Sequence, residues 1–136
     1  MTRMFLAAAA LALMPFAAMA DSHAAAGSAD LVNREVLQEK LLTGHDEMVV
    51  IVSKLVLAPG GRIPLHTHPG DEHAVIVTGG TATMPDGSTM DFADDTVMFF
   101  PAGMVHGGVT NAGETPIEIL TTHVLEEGRP FQTLAE

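Results

Sequence analysis

The sequence predicts an all-β domain closed into a barrel or a two-sheet sandwich. From residue 47 onward the chain contains short runs rich in valine, isoleucine, threonine and phenylalanine, at 48–57, 73–78, 81–84, 89–92, 96–100 and 117–125. Turns containing glycine or proline separate these runs, at 59–61, 79–80, 85–88, 101–103 and 111–116. Short strands joined by such turns are typical of barrels and sandwiches, and no useful helical periodicity follows residue 44.

The start of the chain is predicted to be a targeting segment rather than part of the fold. Arg3 precedes an apolar run, and the small residues Ala18 and Ala20 form a cleavage site before Asp21. This arrangement is typical of a signal peptide over residues 1–20, and the run is too short for a membrane span. We therefore expect a periplasmic or secreted protein that is free of the membrane once the peptide is removed.

The rest of the chain is expected to form one domain. Residues 21–46 are interpreted as a lead-in, in which 31–44 could form either a first strand or a short helix, and 47–136 as the barrel domain. A net charge of −11 argues against nucleic acid or anionic lipid as a partner and leaves a small molecule as the expected ligand. The sequence has no cysteine, so disulfides and thiolate metal ligands are excluded.

A cluster of histidines and acids precedes the second apolar run. Side chains alternate across a strand, so His66 and His68 face the same side. If Glu72 faces inward with them, its neighbours Asp71 and His73 face outward, Asp71 as a solvated turn acid. Two imidazoles two residues apart on a strand form a natural chelating pair for a metal ion.

The spacing of this cluster resembles the first motif of the cupin superfamily. Gly60, five residues, His66, one, His68, three, Glu72, six and Gly79 fill every position of that motif. The second cupin motif is matched by Pro101, Gly103 and His106. Two departures are visible there. Asp95 stands where the motif begins with glycine, a mild change because Asp tolerates left-handed backbone angles, and Asn111 comes one residue late, in an expected loop.

The resemblance, to small single-domain bacterial cupins, covers roughly residues 47–125. It implies a cupin barrel, also called a double-stranded β-helix or jelly roll, holding one metal ion on His66, His68, Glu72 and His106. Three imidazoles and a carboxylate suit a borderline divalent ion and leave positions open for water, substrate or dioxygen. Mn, Fe, Zn, Ni and Cu all fit this ligand set, which does not select among them.

Three functions are compatible with such a site. The first is an enzyme of dioxygenase, lyase or isomerase type acting on a small oxygen-bearing substrate. The others are a non-catalytic periplasmic module that binds a metal or small ligand, and a barrel that the metal only stabilises. The chain contains no tyrosine, the base of similar cupin lyases acting on dimethylsulfoniopropionate, and Ile63 replaces the arginine of oxalate decarboxylases. The stretch 66–69 also resembles germins.

Some residues outside the motifs are candidates for lesser roles. His123 is interpreted as a residue of the barrel rim or a base near the site, Arg62 as a possible guide for anions, and His45 as a surface residue. Several bulky apolar residues are expected in the barrel wall, mainly as core: Met84, Met90, Met98, Met104, Phe92, Phe99 and Phe100.

The run 49–57 carries apolar residues on both of its faces. A strand with one face in water would alternate, so this pattern predicts that both faces are covered. The second cover would be either a partner chain, giving a homodimer, or the segment 31–44.

Overall fold

A computed structural model describes residues 31–136, and the predicted signal peptide over 1–20 lies outside this part of the chain. The described residues form ten β-strands: β1 Val32–Leu42, β2 His45–Leu57, β3 His66–Thr67, β4 Asp71–Thr78, β5 Gly80–Thr83, β6 Thr89–Phe92, β7 Val97–Phe100, β8 Thr110–Asn111, β9 Ile117–Glu126 and β10 Thr133–Leu134. Within 31–136 no helix has the length and apolar character needed to cross a membrane.

The strands form three antiparallel sheets. The largest has five strands in the order β1-β2-β9-β4-β7, a second has the order β6-β5-β8, and β3 pairs with β10. All six strand runs predicted from the sequence are confirmed. The very short strands β3, β8 and β10 were not predicted as pairs, because two residues carry no periodic signal.

The core lies between the large sheet and the three-stranded sheet. Side chains of β2, β4 and β9 alternate between buried and more exposed positions, as the period of two requires. The buried apolar side chains from the large sheet pack against Ala82 of β5 and against Val109: Leu55, Leu57, Ala74, Ile76, Ile117 and Ile119. At the other end of the same inner face the buried side chains are polar, and this end holds the site described below.

The ambiguous segment 31–44 is a strand and not a helix. β1 pairs with β2 along its edge, with Arg34 opposite Leu55 and Val36 opposite Ser53. It therefore lies beside β2 in the same sheet and does not cover the outer face of β2. The alternative that this segment covers that face is wrong, and the other alternative, a partner chain, stays a prediction.

The two motif departures have different structural consequences. Asp95 adopts a φ of 62°, so this aspartate does take the left-handed backbone that the motif glycine would provide. Asn111 does more than occupy a loop. Its side chain is buried, donates to the carbonyls of Leu57 and Thr115, and accepts a hydrogen bond from the backbone of Gly113.

Candidate metal centre

The structure brings together the four side chains that the motifs select. One ligand atom from each of His66, His68, Glu72 and His106 lies within 4.8 Å of the other three. His66 begins β3, and its backbone exchanges two hydrogen bonds of 2.9 Å with that of His106. This pairing places the histidine of the second motif directly opposite the first histidine of the first motif.

The outward positions are also as the alternation predicts. Glu72 is 6% exposed, whereas the adjacent His73 and Asp71 are exposed. Asp71, the first residue of β4, accepts a hydrogen bond from the backbone of Ala102 and so links β4 to the turn at 101–103. His73 packs against Phe99, with the two rings tilted, on the outer side of the sheet, away from the cluster.

Each histidine of the cluster is oriented by a backbone carbonyl. The Nδ1 atoms of His66, His68 and His106 lie 2.8, 2.6 and 2.9 Å from the carbonyl oxygens of Pro64, Phe131 and Met104. A carbonyl only accepts, so each neutral ring donates from Nδ1 and keeps its lone pair on Nε2. The three lone pairs are thereby directed into the cluster, the arrangement that orients histidine ligands at metal sites.

The metal-facing atoms of the four residues lie close to one another. Nε2 of His66 lies 3.0 Å from Nε2 of His68, and Oε2 of Glu72 lies 3.1 Å from His68 Nε2 and 2.8 Å from His106 Nε2. Two ligands that bind one ion at about 2.1 Å and at a right angle are about 3.0 Å apart. The donor set and these separations therefore fit a divalent transition metal.

The electrostatics of the cluster favour an ionised carboxylate. Burial raises the pKa of Glu72, but His106, His123 and His68 around the carboxylate outweigh it and hold that pKa far below its usual range. Burial is the largest single effect on His106 and lowers its pKa, but the hydrogen bonds to Glu72 and Met104 and the charge of Glu72 together outweigh burial and leave that pKa raised. For His66 burial dominates, so its pKa is lowered.

His123 is a member of this site that the motif does not include. It is fully buried on β9, paired between Ile51 of β2 and Glu72 of β4, so the expectation of a rim position is wrong. Its Nε2 lies 3.4 Å from Glu72 Oε2, and neither ring nitrogen has a hydrogen-bond partner among the described residues. Burial accordingly lowers the pKa of His123. Buried polar atoms normally have hydrogen-bond partners, so two unpartnered ring nitrogens beside a carboxylate are a further sign that the site accepts a polar ligand.

A cavity of about 360 Å³ reaches the cluster from the barrel interior. His66, Glu72 and His106 line it, whereas His68 lies behind them against the ring of Phe131. The rest of the wall is mainly apolar, with five of the predicted bulky residues: Met84, Met90, Met98, Phe92 and Phe100. Met84, Phe92, Met98 and Phe100 also pack against the core, whereas Met90 lines the pocket but is 48% exposed. The stacked ring of Phe100 supports His106.

Two predicted wall residues do not line the cavity. Met104 and Phe99 are 47% and 51% exposed and pack in neither the cavity lining nor the core, so the expectation that they belong to the wall is wrong. Arg62 is also exposed, in the segment bridged to Thr110, and does not line the cavity. His45 is at the surface as expected.

The positive group in the cavity is Arg34 of β1, which sequence reasoning did not select. In hindsight the signal was available, because Arg34 shares one strand face with Val32 and Val36. The unresolved choice between helix and strand for 31–44 concealed it. Phe131, which fixes His68 and also contacts His123, lies in the C-terminal segment, where no pattern marked it.

Comparison with known families identifies the fold and the motif. Residues 53–123, more than half of the chain, match the cupin domain family. The chain belongs to the cupin family. For this cupin the predicted barrel fold is thereby confirmed, and both metal-ligand motifs lie within the matched segment.

The curated relatives of this cupin are longer plant proteins. It is 37% identical over 79 residues to germin-like protein 1 of Brassica napus, covering 54% of this chain and 38% of that protein. It is 36% identical over 81 residues to auxin-binding protein ABP20 of Prunus persica, covering 54% and 36%. The matched part spans less than two fifths of each relative.

Solved structures show the same fold at low sequence identity. A DMSP lyase DddQ from Ruegeria pomeroyi aligns with a TM-score of 0.57 at 17% identity, over 85% of this chain and 57% of that one. The polyketide cyclase RemF from Streptomyces resistomycificus aligns with a TM-score of 0.56 at 18% identity, over 78% and 73%. At these identities the likeness concerns the fold.

Proposed function

We propose that this cupin binds one divalent transition metal ion through His66, His68, Glu72 and His106 and acts as an enzyme on a small oxygen-bearing substrate. One observation carries the proposal. The Nε2 atoms of His66 and His68 lie 3.0 Å apart, and in the neutral rings both are acceptors, because each Nδ1 donates to a carbonyl. Two lone pairs at this distance repel each other unless a proton or a metal ion lies between them, and a metal ion is the species that Glu72 and His106 at the same point can also bind.

The surrounding residues prepare this cluster for a bound ion. Carbonyls of Pro64, Phe131 and Met104 hold the three rings, so little reorganisation is needed on binding. The low pKa of Glu72 supplies an ionised ligand at neutral pH. Because the lining of the cavity is mainly apolar, water inside it is restricted and charges there interact strongly.

When bound, the ion would supply Lewis-acid polarisation of a substrate oxygen and, for a redox-active metal, chemistry with dioxygen. The chain itself contributes positioning. Three of the four ligands face the cavity, so a substrate there meets the cluster on one side. Among the ligands, Glu72 has a second carboxylate oxygen, which could accept a proton from the substrate.

A second candidate is a non-catalytic cupin that holds a metal or small ligand. The observation in its favour is the shortage of acid–base groups, since the titratable side chains lining the cavity are Arg34 and members of the cluster. His123 is sealed, with 0% exposure, and therefore has no direct access to a substrate.

Metal reconstitution followed by activity screening separates these functions. Protein stripped with a chelator would be reloaded singly with Mn, Fe, Ni, Cu or Zn, and bound metal measured after dialysis. We expect one ion per chain. At least one metal form should turn over a diketone, phenol or hydroxy acid, as measured by oxygen uptake and product analysis. Stoichiometric metal without turnover favours the binding module, and absence of stoichiometric metal rejects the site.

A further inference from the structure

The cavity beside the metal centre contains one cationic side chain among its described lining residues, Arg34. It extends from the inner face of edge strand β1, at the register position opposite Leu55. Most of the neighbouring lining is apolar, with Leu55, Met84, Met90, Phe92, Met98 and Phe100 among it. A charged group in such surroundings is costly unless a partner of opposite charge compensates it.

The described residues do not provide that partner at contact distance. Within 31–136, no carboxylate lies within 4.0 Å of the Arg34 guanidinium. Its side-chain hydrogen bond in this part of the chain is donated by Nη1 to Ser53 Oγ at 3.4 Å. The guanidinium also lies 4.6 Å above the ring of Phe131, which supports one of its faces. A guanidinium has five N–H donors, so most of them remain available to a ligand.

The charge of the loaded site also favours an anion. A divalent ion, the Glu72 carboxylate and the Arg34 guanidinium together leave an excess of positive charge beside an apolar cavity. Burial lowers the pKa of Arg34 while Glu72 opposes this effect, and a guanidinium remains protonated at any physiological pH. An anionic ligand would relieve this excess in a medium where charges are weakly screened.

The planar guanidinium of arginine and the apolar wall together limit the chemical class of the ligand. Two parallel N–H donors match the two oxygens of a carboxylate. A phosphate would bring more charge and more acceptors than one guanidinium satisfies. The volume of about 360 Å³ lies near the lower end of small-molecule sites, which are roughly 300–1,000 Å³.

We propose that Arg34 anchors the carboxylate of a small monocarboxylic acid whose apolar body fills the cavity beside the His66–Glu72–His106 wall. The inference deepens the proposed function by naming its substrate class. The inference rests on the proposed function only for the role of the metal, because Arg34 and the apolar wall do not depend on a bound metal. Arg34 is therefore a specificity-determining residue.

Calorimetric titration with a matched pair of probes tests this assignment. The probes are 3-phenylpropanoate and the neutral 3-phenylpropanamide, which have the same apolar body. Wild-type protein should bind the acid more tightly than the amide. Arg34→Met, which keeps an unbranched apolar stem, should weaken acid binding roughly 10- to 100-fold and leave amide binding unchanged. Arg62→Met, which removes an exposed arginine outside the cavity, should bind both probes like the wild type.

The inference is wrong if Arg34→Met leaves the acid affinity unchanged, or if it weakens acid and amide binding equally. It is also wrong if the wild-type protein binds neither probe. Circular dichroism checks folding, and Arg34→Gln, which retains a donor near Ser53, provides the same comparison should Arg34→Met not fold.

Titrations of both stripped and metal-loaded protein separate this inference from the proposed function. Loss of stoichiometric metal binding with Arg34-dependent acid binding intact rejects only the metal site. Stoichiometric metal with Arg34-independent acid binding rejects only the anchor.

Discussion

Glu72 and His73 are adjacent in β4 and face opposite sides of the sheet. Glu72 lies inside, with Oε2 2.8 Å from His106 Nε2, whereas His73 is exposed and packs near Phe99. Two residues with equal potential as metal ligands are thus separated by the pleat of one strand. The separation makes the proposed site directly testable.

Removal of one inward ligand should empty the proposed metal site. We expect His106→Ala to abolish stoichiometric binding of any divalent transition metal, because it deletes a ligand and leaves Glu72 without its shortest partner. His73→Ala is the matched control and should retain one ion per chain. Metal content after dialysis measures both, and the assignment fails if His73→Ala empties the site while His106→Ala spares it.

Metal affinity should fall as the pH falls. Binding requires neutral imidazoles, and the raised pKa of His106 means that this ring holds its proton to a higher pH than an ordinary histidine. Because the pKa of His66 is lowered, protonation of this ring competes with metal binding only in more acidic solution. Below the pKa of His106, affinity should drop by about tenfold per pH unit for each proton displaced. Competition titrations between about pH 8 and pH 5 measure this slope, and a flat profile would contradict the ligand role of His106.

Replacement of His123 should separate metal affinity from stability. His123→Phe fills a similar volume and removes two ring nitrogens that lack hydrogen-bond partners among the described residues, so the metal-free protein should unfold at an equal or higher temperature. Loss of the imidazole nitrogen next to Glu72 should weaken metal binding by roughly tenfold or more. Calorimetric unfolding and metal competition report the two effects. An unchanged metal affinity would show that His123 does not support Glu72.

The metal that occupies the site should decide which chemistry survives. Zinc has no redox chemistry, so zinc-loaded protein should show no oxygen uptake with any substrate, yet could retain lyase or isomerase turnover. Affinity order also predicts that zinc displaces manganese or iron from three imidazoles and one carboxylate. Challenge of manganese- or iron-loaded protein with zinc tests this, and resistance to displacement would indicate selection beyond the ligand set.

The outer face of the large sheet predicts a homodimer. Val50, Val52 and Val56 of β2 are only partly buried there, while Val77 and Phe99 are each 51% exposed. Apolar patches of this kind on a sheet commonly mark an interface. We expect a dimer in sedimentation at micromolar concentration and a monomer for Phe99→Asp. The control Leu134→Asp alters an exposed residue of β10 and should leave the dimer intact, whereas a monomeric wild type would contradict the prediction.

The fold and the ligand set were predictable because both depend on local spacing. Alternation within a strand places His66 and His68 on one face, and the resemblance to the cupin motifs adds Glu72 and His106 as inward ligands. Turn residues separate the strands clearly enough to indicate an all-β sandwich or barrel, and the motif resemblance selects the barrel. The left-handed backbone at Asp95 could likewise be anticipated from the chemistry of its side chain.

The tertiary structure alone decided which distant residues meet these ligands. Periodicity shows which residues share a strand face with Arg34 or His123, but not how far along the barrel axis each side chain lies. Arg34 reaches the cavity because β1 pairs with β2 in the register Arg34–Leu55, and His123 reaches Glu72 because β9 lies between β2 and β4. Strand register depends on packing of the whole sheet, which couples residues far apart in the chain, and no local pattern contains that information.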